Sequence, residues 1–263
     1  MKKITVILIG LLTLTMVNCQ SKYPFPLTDL HVHLKGKLTI EDAAKKSVAE
    51  NIQYGIAVNC GVGFPVHNDR QIDSVLATFK GYPQFFLAMQ AEGREWVNTF
   101  SKESREKFDY VFTDCMTFTD EKGRRNRIWM KNETWIDDEQ KFMDYMVNTL
   151  VKILNTEPIN IYVNSTFLPA QMADRYDFFW TTERMDKVIK AAKDNNIAIE
   201  INNRYKIPSA AFIKRAKAAG VKFTIGTNNA DENFFGAGYA LGMIKECGLT
   251  PGDFYLPVKK IRK

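Results

Sequence analysis

Asp29-Leu30-His31-Val32-His33 is the stretch from which the rest of this chain can be read, because it holds two of only three histidines. Successive side chains of a strand alternate between its faces. Asp29, His31 and His33 are therefore expected on one face, and Leu30, Val32 and Leu34 on the other. Two imidazoles so spaced can both reach one metal ion, and neutral imidazole is a common ligand of zinc and other divalent first-row metals. The plainer alternative is a buried strand with two hydrogen-bonded histidines. The stretch is read as the opening strand of a barrel, with the pair marking a metal site.

Downstream, strand and helix patterns alternate. Strands are expected at about 28–34, 54–59, 85–90, 110–113, 159–163, 198–201 and 222–225. Helices are expected at about 40–51, 70–79, 137–154, 181–194, 208–220 and 235–246, with short helical pieces over 94–107 and a long polar loop over 115–136. Thr39 is a natural N-cap, with Glu41 and Asp42 in the first turn behind it. Gly220 is a natural helix stop. Strands alternating with helices imply parallel strands joined by right-handed crossovers. An open doubly wound sheet is the alternative, but Gly-x-Gly-x-x-Gly is absent. No linker divides the chain, so the expected fold is α/β, a single TIM-like barrel domain.

Composition adds bounds. Of 263 residues 45% are apolar and 25% charged, ordinary values for a globular chain with one large core. The formal charge of +6 is mild. The densest basic cluster, Lys122, Arg124, Arg125 and Arg127, reads as a solvated loop, and nothing points to nucleic acid. Met1-Lys2-Lys3 precedes an apolar run from Ile4 to Val17, the length of a signal h-region and short for a membrane span. The run ends at Val17-Asn18-Cys19-Gln20-Ser21, where Cys19 resembles the lipidated cysteine of a bacterial lipobox, although Met16 and Asn18 depart from it. Residues 1–18 are expected to be a lipoprotein signal peptide, 19–26 a tether and 27–263 the barrel. Lipid on Cys19 would anchor the chain to a membrane of the bacterial cell envelope. The remaining Cys60, Cys115 and Cys247 are an odd number and a poor disulfide framework.

In α/β barrels chemistry sits where strands end and βα loops begin. Each expected strand runs from an apolar body into polar residues there. They are His31 and His33; Asn59 and Cys60, with His67 in the following loop; Glu92; Asp114; Asn164; Glu200 and Asn202; and Asn228. A metal site would take His31, His33, Glu92 and Asn228. A bound Zn, Mn or Fe ion would lower the pKa of its water towards neutrality. Asp29 could orient a histidine from behind. Asp114, Arg94 and Arg204 are candidates for catalysis or for clamping an anionic group, and Cys60, His67, Asn164 and Asn202 for the substrate pocket. A structural role is an equal reading for Asp29 and both arginines.

At this point the residues resemble a known family. Asp29-Leu30-His31-Val32-His33 looks like the opening motif of the polymerase-and-histidinol-phosphatase (PHP) family, with amidohydrolases a second choice. Ile199-Glu200-Ile201-Asn202-Asn203 and Phe223-Thr224-Ile225-Gly226-Thr227 look like that family's last two strands. The resemblance implies a distorted (β/α)7 barrel and a metal-dependent phosphoesterase using up to three divalent ions. His31 and His33 match the first two ligands and Glu92 the bridging glutamate. The departures are large. Asn228-Asn229 stands where Asp-x-His is usual, and Asn59-Cys60, Asp114-Cys115 and Asn164-Ser165 replace other ligands. Only one or two metal ions could be kept, or none. The expected function is a metal-dependent hydrolase of a small anionic substrate. The alternative is a non-catalytic relative that binds a small ligand in the barrel mouth.

Overall fold

The computed structural model describes residues 23–234 and 237–261. The expected signal peptide and Cys19 lie outside the described residues, as does position 235, where the last helix was expected to start. In chain order the elements are β1 (Leu27–Val32), α1 (Ile40–Glu50), β2 (Ile52–Cys60), α2 (Asp69–Ala77), β3 (Phe86–Ala91), α3 (Trp96–Thr99), α4 (Lys102–Arg105), β4 (Tyr110–Thr113), β5 (Thr117–Thr119) and β6 (Arg125–Arg127). They continue with α5 (Glu139–Thr156), β7 (Ile161–Tyr162), α6 (Tyr176–Phe179), α7 (Thr182–Asp194), β8 (Ala198–Asn202), α8 (Ala210–Ala218), β9 (Phe223–Gly226) and α9 (Gly238–Glu246).

Seven strands close into a barrel in the order β1-β2-β3-β4-β7-β8-β9. All neighbouring pairs are parallel. The reason is visible in β3 and β8, which are buried at every position. Such strands need cover on both faces, and helical crossovers supply the outer one. Helix starts follow the capping chemistry. The hydroxyls of Thr39, Thr181 and Ser209 accept from the backbone N–H groups of Asp42, Arg184 and Phe212. Gly220 stands just past α8 at φ +78°, in the left-handed region that glycine enters freely.

Two apolar layers result. Outside the strands, Val32, Ile56, Leu87 and Met89 pack with Val147 and Phe212 of the helices. Inside, Leu30, Ala57, Phe86, Ala88, Tyr110, Phe112, Ile161, Val163 and Ala198 fill the barrel. The small side chains leave width for two aromatic rings. Tyr110 spans the interior and donates to the Leu30 carbonyl at 2.6 Å. A Cβ on Gly55 would fall 2.0 Å from that hydroxyl, so only glycine fits there. Tyr255 plugs the interior from the N-terminal end of the strands.

The structure differs from the sequence reading in two places. First, the β1–β2 register slips between Asp29 and Val32, and β1 ends at Val32. Leu30 joins the interior layer and Val32 the outer one, so strict alternation fails and His33 lies beyond the strand. Second, 115–136 is not an unstructured loop. β5 and β6 pair antiparallel, turning at Asp120–Gly123. Asn126 is buried there, its Oδ1 accepting from the Trp135 N–H. The basic cluster is largely neutralised locally: Arg124 pairs with Asp120 and Asp137, Lys122 with Asp137, and Arg127 with Glu133.

β1 meets β9 at a single register position, Asp29 with Ile225. Cys60, Cys115 and Cys247 are free and buried. Among the described residues no helix is long and apolar enough to cross a membrane.

Candidate functional site

The C-terminal ends of the barrel strands converge on a buried polar network centred on His31. Its Nδ1 lies 2.6 Å from Glu200 Oε1, and both side chains are fully buried. Glu200 Oε2 accepts from the Asn164 backbone N–H at 3.0 Å and from Asn202 Nδ2 at 2.8 Å. A buried carboxylate needs such saturation, because an uncompensated charge is expelled from a low-dielectric interior. With its Nδ1–H directed at Glu200, a neutral His31 ring carries its lone pair on Nε2. That atom is buried and has no partner. Gly226 makes the pair possible: a Cβ there would sit 1.9 Å from Glu200 Oε1 and 2.9 Å from His31 Cβ.

Asparagines carry the network across the mouth. Asn164 Oδ1 accepts from Asn202 Nδ2 at 3.0 Å and Asn228 Nδ2 at 3.2 Å, while its own Nδ2 donates to Asp114 Oδ2 at 2.9 Å. Asn164 and Asn228 both adopt left-handed backbone, with φ +52° and +49°. Asparagine tolerates that region better than most residues. Asp114 also accepts from the Met116 N–H at 2.9 Å. Glu92 Oε1 accepts from Asn59 Nδ2 at 2.8 Å and Gln90 Nε2 at 2.9 Å. Burial, and then the neighbouring Asp114 charge, push the Glu92 carboxyl up from an ordinary 4.5 to about 7. Burial raises Asp114 as well, against its hydrogen bonds from Met116 and Asn164.

The β1–β9 seam is held by side chains from the same region. Asp29 accepts from the Thr227 N–H at 3.0 Å, the Thr227 hydroxyl and the His31 N–H at 3.2 Å. Asp29 therefore positions β1 and the Thr227 turn, while Glu200 orients the histidine ring. Asn228 N–H donates to the His31 carbonyl at 2.7 Å, and Asn229 brackets the His33 backbone on both sides. The His33 ring stands edge-on to His31 with centroids 5.1 Å apart. Burial foremost, with the Lys35 charge adding to it, holds the ring neutral, with its pKa down to about 2.

The sequence-predicted residues divide into two groups. His31, Glu92, Asp114, Asn164, Asn202 and Asn228 are drawn together, with His33 behind them. Arg94 is committed to structural partners: its guanidinium pairs with Glu157 at 2.9 Å and donates to Thr113 at 2.7 Å, while its charge still reaches Glu92 and Asp114 and lowers the pKa of both. The Cys60 thiol belongs to the outer core, and burial keeps it protonated. His67 is exposed beside the start of α2, its Nδ1 3.3 Å from the Phe64 carbonyl. Arg204 is exposed and lies over the Tyr205 ring at 5.0 Å. Its charge, after burial, helps depress the pKa of Lys35 and is felt by His33. Lys35 and Arg204 thus form a cationic rim, and Lys35 was not foreseen. Its position just after the His31–His33 stretch was the available signal.

The expected metal set does not close. His31 offers one unpartnered nitrogen, but among the described residues no three His, Cys, Asp or Glu side chains converge to hold an ion. Asn228 uses its amide nitrogen on Asn164, and Glu92 Oε1 is occupied by two amides.

No protein-family model matches the chain. No curated protein matches it either. Among solved structures, the histidinol phosphate phosphatase of Lactococcus lactis subsp. lactis Il1403, complexed with zinc, L-histidinol and phosphate, is similar with a TM-score of 0.53 and 13% identity, over 85% of this chain and 94% of that one. The HpcH/HpaI aldolase of Desulfitobacterium hafniense DCB-2 reaches a TM-score of 0.38 at 10% identity over 86% and 93% of the two chains. An archaeal ribonuclease P with mature tRNA reaches 0.39 at 10% identity, over 90% and 99%. The first likeness shows a shared fold, and the other two are too distant to carry an argument.

Proposed function

We propose that this chain is a hydrolase of the phosphoesterase type that acts on a small anionic substrate at the barrel mouth. The observation that carries this reading is Glu92: a carboxyl with a pKa of about 7, beside Asp114 and close to the cationic rim of Lys35 and Arg204. Neither rim cation has an ion-pair partner among the described residues, so both are available to an incoming anion. A carboxyl poised near neutrality is suited to proton transfer in either direction. Protonated, Glu92 can donate to a departing alkoxide; ionised, it can take a proton from attacking water. Asp114 contributes by keeping Glu92 protonated longer. His31, fixed by Glu200 and buried, holds the polar network beside this pair in place. The Lactococcus enzyme was solved with zinc and phosphate, which agrees with an anionic substrate class. Among the described residues no closed metal cluster forms, and the proton transfers fall to Glu92 and Asp114.

The test is hydrolysis of a panel of small phosphomonoesters by the purified chain, with and without added Mn²⁺ or Zn²⁺. Glu92→Gln should lower kcat at least about a hundredfold, the lower end of what a general acid or base contributes. Equal turnover by the wild type and Glu92→Gln would sink the assignment.

One observation favours a second reading, a non-catalytic ligand-binding barrel. Asn59, Asn164, Asn202 and Asn228 line the strand ends with neutral amides. Such groups recognise a polar ligand without transferring its protons. Calorimetric binding of inorganic phosphate without turnover of any ester would select this reading.

We also propose that the chain is a lipoprotein of the bacterial cell envelope, with lipid on Cys19. The basic start, the apolar run and the cysteine at its end support this. Mass analysis of the N-terminal peptide from membranes tests it; an unmodified Cys19 would refute it.

A further inference from the structure

At the N-terminal end of the barrel strands, residues 254–261 run as an extended strap across the barrel floor. Phe254 pairs with Phe223 at the start of β9, and the Tyr255 N–H donates to the Phe223 carbonyl at 2.8 Å. Further along, Lys259 Nζ lies 4.7 Å over the Phe86 ring at the start of β3 and donates to the Pro83 carbonyl at 2.8 Å. The Lys260 N–H bonds Asp109, next to the start of β4. The strap alternates: Pro257 and Lys259 turn inward, while Leu256, Val258 and Lys260 turn outward. Leu256, Val258 and Ile261 are 59%, 81% and 89% exposed, three of the eight large apolar side chains left exposed among the described residues. Beside them an apolar depression of about 290 Å³ opens between Phe25, Leu27, Ile225 and Phe254.

The described chain begins on this same face. Tyr23 is buried, and the Phe25 ring lies 5.4 Å from Phe254. Three residues separate Cys19 from Tyr23, which makes four residue-to-residue steps. Fully extended, they reach about 14 Å. An anchor at Cys19 would therefore hold the floor within a headgroup layer of the bilayer. We propose that the barrel floor, through Leu256, Val258, Ile261 and Lys260, is a docking surface for an anionic lipid membrane. This rests on the reading of Cys19 as the lipid-bearing residue. The surface chemistry fits: apolar side chains enter the acyl boundary while an interspersed lysine meets anionic headgroups, and the sequence continues as Arg262-Lys263. Because the strands are parallel, a docked floor points the His31 mouth away from the membrane, towards water and soluble substrate.

The test uses the full chain reconstituted into vesicles of phosphatidylglycerol and phosphatidylcholine. A polarity-sensitive fluorophore is placed at Val258→Cys, or as a control at Val62→Cys, which is exposed on the loop after β2 at the mouth. Cys60, Cys115 and Cys247 are buried; Cys19, a free thiol wherever it is unlipidated, is blocked by lipid or replaced in a parallel Cys19→Ser preparation, so the labels are specific. Docking predicts a blue shift and quenching by headgroup-labelled lipid at position 258, and neither at 62. If the chain binds vesicles while the label at 258 stays as aqueous as that at 62, the docking surface is refuted and the anchor survives. If the label at 258 enters the headgroups while mass analysis finds Cys19 unmodified, docking stands and the lipid reading falls. A blue shift at 258 without vesicles, growing with protein concentration, would assign the face to a second copy and overturn the proposal. No vesicle binding at all refutes both.

Discussion

Glu92→Gln should stabilise the fold, and by an amount that depends on pH. In the wild type the carboxyl has a pKa of about 7 when folded, against an ordinary 4.5. The folded chain therefore keeps a proton that the unfolded chain has released between these two values. Stability contributed by the protonated carboxyl is complete below about pH 4.5 and is lost progressively as the pH rises towards 7. At about 1.4 kcal/mol per unit, the loss amounts to about 3 kcal/mol at pH 8. Glutamine has no charge to bury, and its Oε1 can still accept from Asn59 and Gln90, which both donate to Glu92 Oε1. Urea denaturation of wild type and variant from pH 4.5 to 8 should give curves that coincide at the acid end and separate by about 3 kcal/mol at the alkaline end. A separation that stays constant within about 0.5 kcal/mol across this range would refute the reasoning, because the variant effect would then be ordinary packing. The sign also bears on function. A carboxyl whose ionisation destabilises the fold is retained against stability, as expected of a group kept for proton transfer.

Three further outcomes follow from the geometry. Gly226→Ala should break the His31–Glu200 pair, since the new Cβ would overlap Glu200 Oε1; a loss of about 3 kcal/mol in the free energy of urea unfolding is expected, the scale for leaving a buried charged acceptor without its partner. His33, with its pKa down to about 2 when folded, takes up its proton only on unfolding. Its share of stability is present above pH 6.5 and falls by about 1.4 kcal/mol per unit below it, opposing Glu92 between pH 4.5 and 6.5; His33→Gln should leave a wild-type minus variant difference that shrinks on acidification, and a flat difference would contradict this. The two arginines should separate: Arg94→Ala strands Glu157 and costs about 2 kcal/mol in denaturation with little change in phosphate affinity. Arg204→Ala should leave stability within about 0.5 kcal/mol but weaken phosphate binding about tenfold by calorimetry.

The barrel was legible because local signals agreed with each other. Apolar strand bodies running into polar ends gave all seven barrel strands, and Thr39 and Gly220 marked helix boundaries through chemistry that acts within a turn. Two further signals stand in the sequence. Glu200 lies in the middle of a strand buried on both faces, where a carboxylate must have a partner, and His31 is that partner. Lys35 follows the first strand into the mouth. Other features had no local signal. The slip in β1 depends on pairing with β2, so His31 and Leu30 both face inward against the expected alternation. Arg94 finds Glu157 across 63 residues, which turns an apparent anion clamp into a structural ion pair. The β5–β6 hairpin has no apolar alternation in Arg125-Asn126-Arg127; its register follows from a turn and one buried asparagine.

The seam between β1 and β9 gives the mouth a second consequence. Backbone pairing there is confined to Asp29 and Ile225. The closure is otherwise fastened by Asp29 to Thr227, by the Asn228 N–H to His31, and by Asn229 around His33. These are the residues that surround the proposed reaction centre, so the clasp of the barrel and its working parts are one object. Opening the clasp should therefore dismantle the site, since the same side chains fasten both. A ligand seated in the mouth would latch the cylinder shut. Amide exchange along β1 and β9 should then slow on ligand binding well before it slows along β2 and β3, which pair over the whole length of β3.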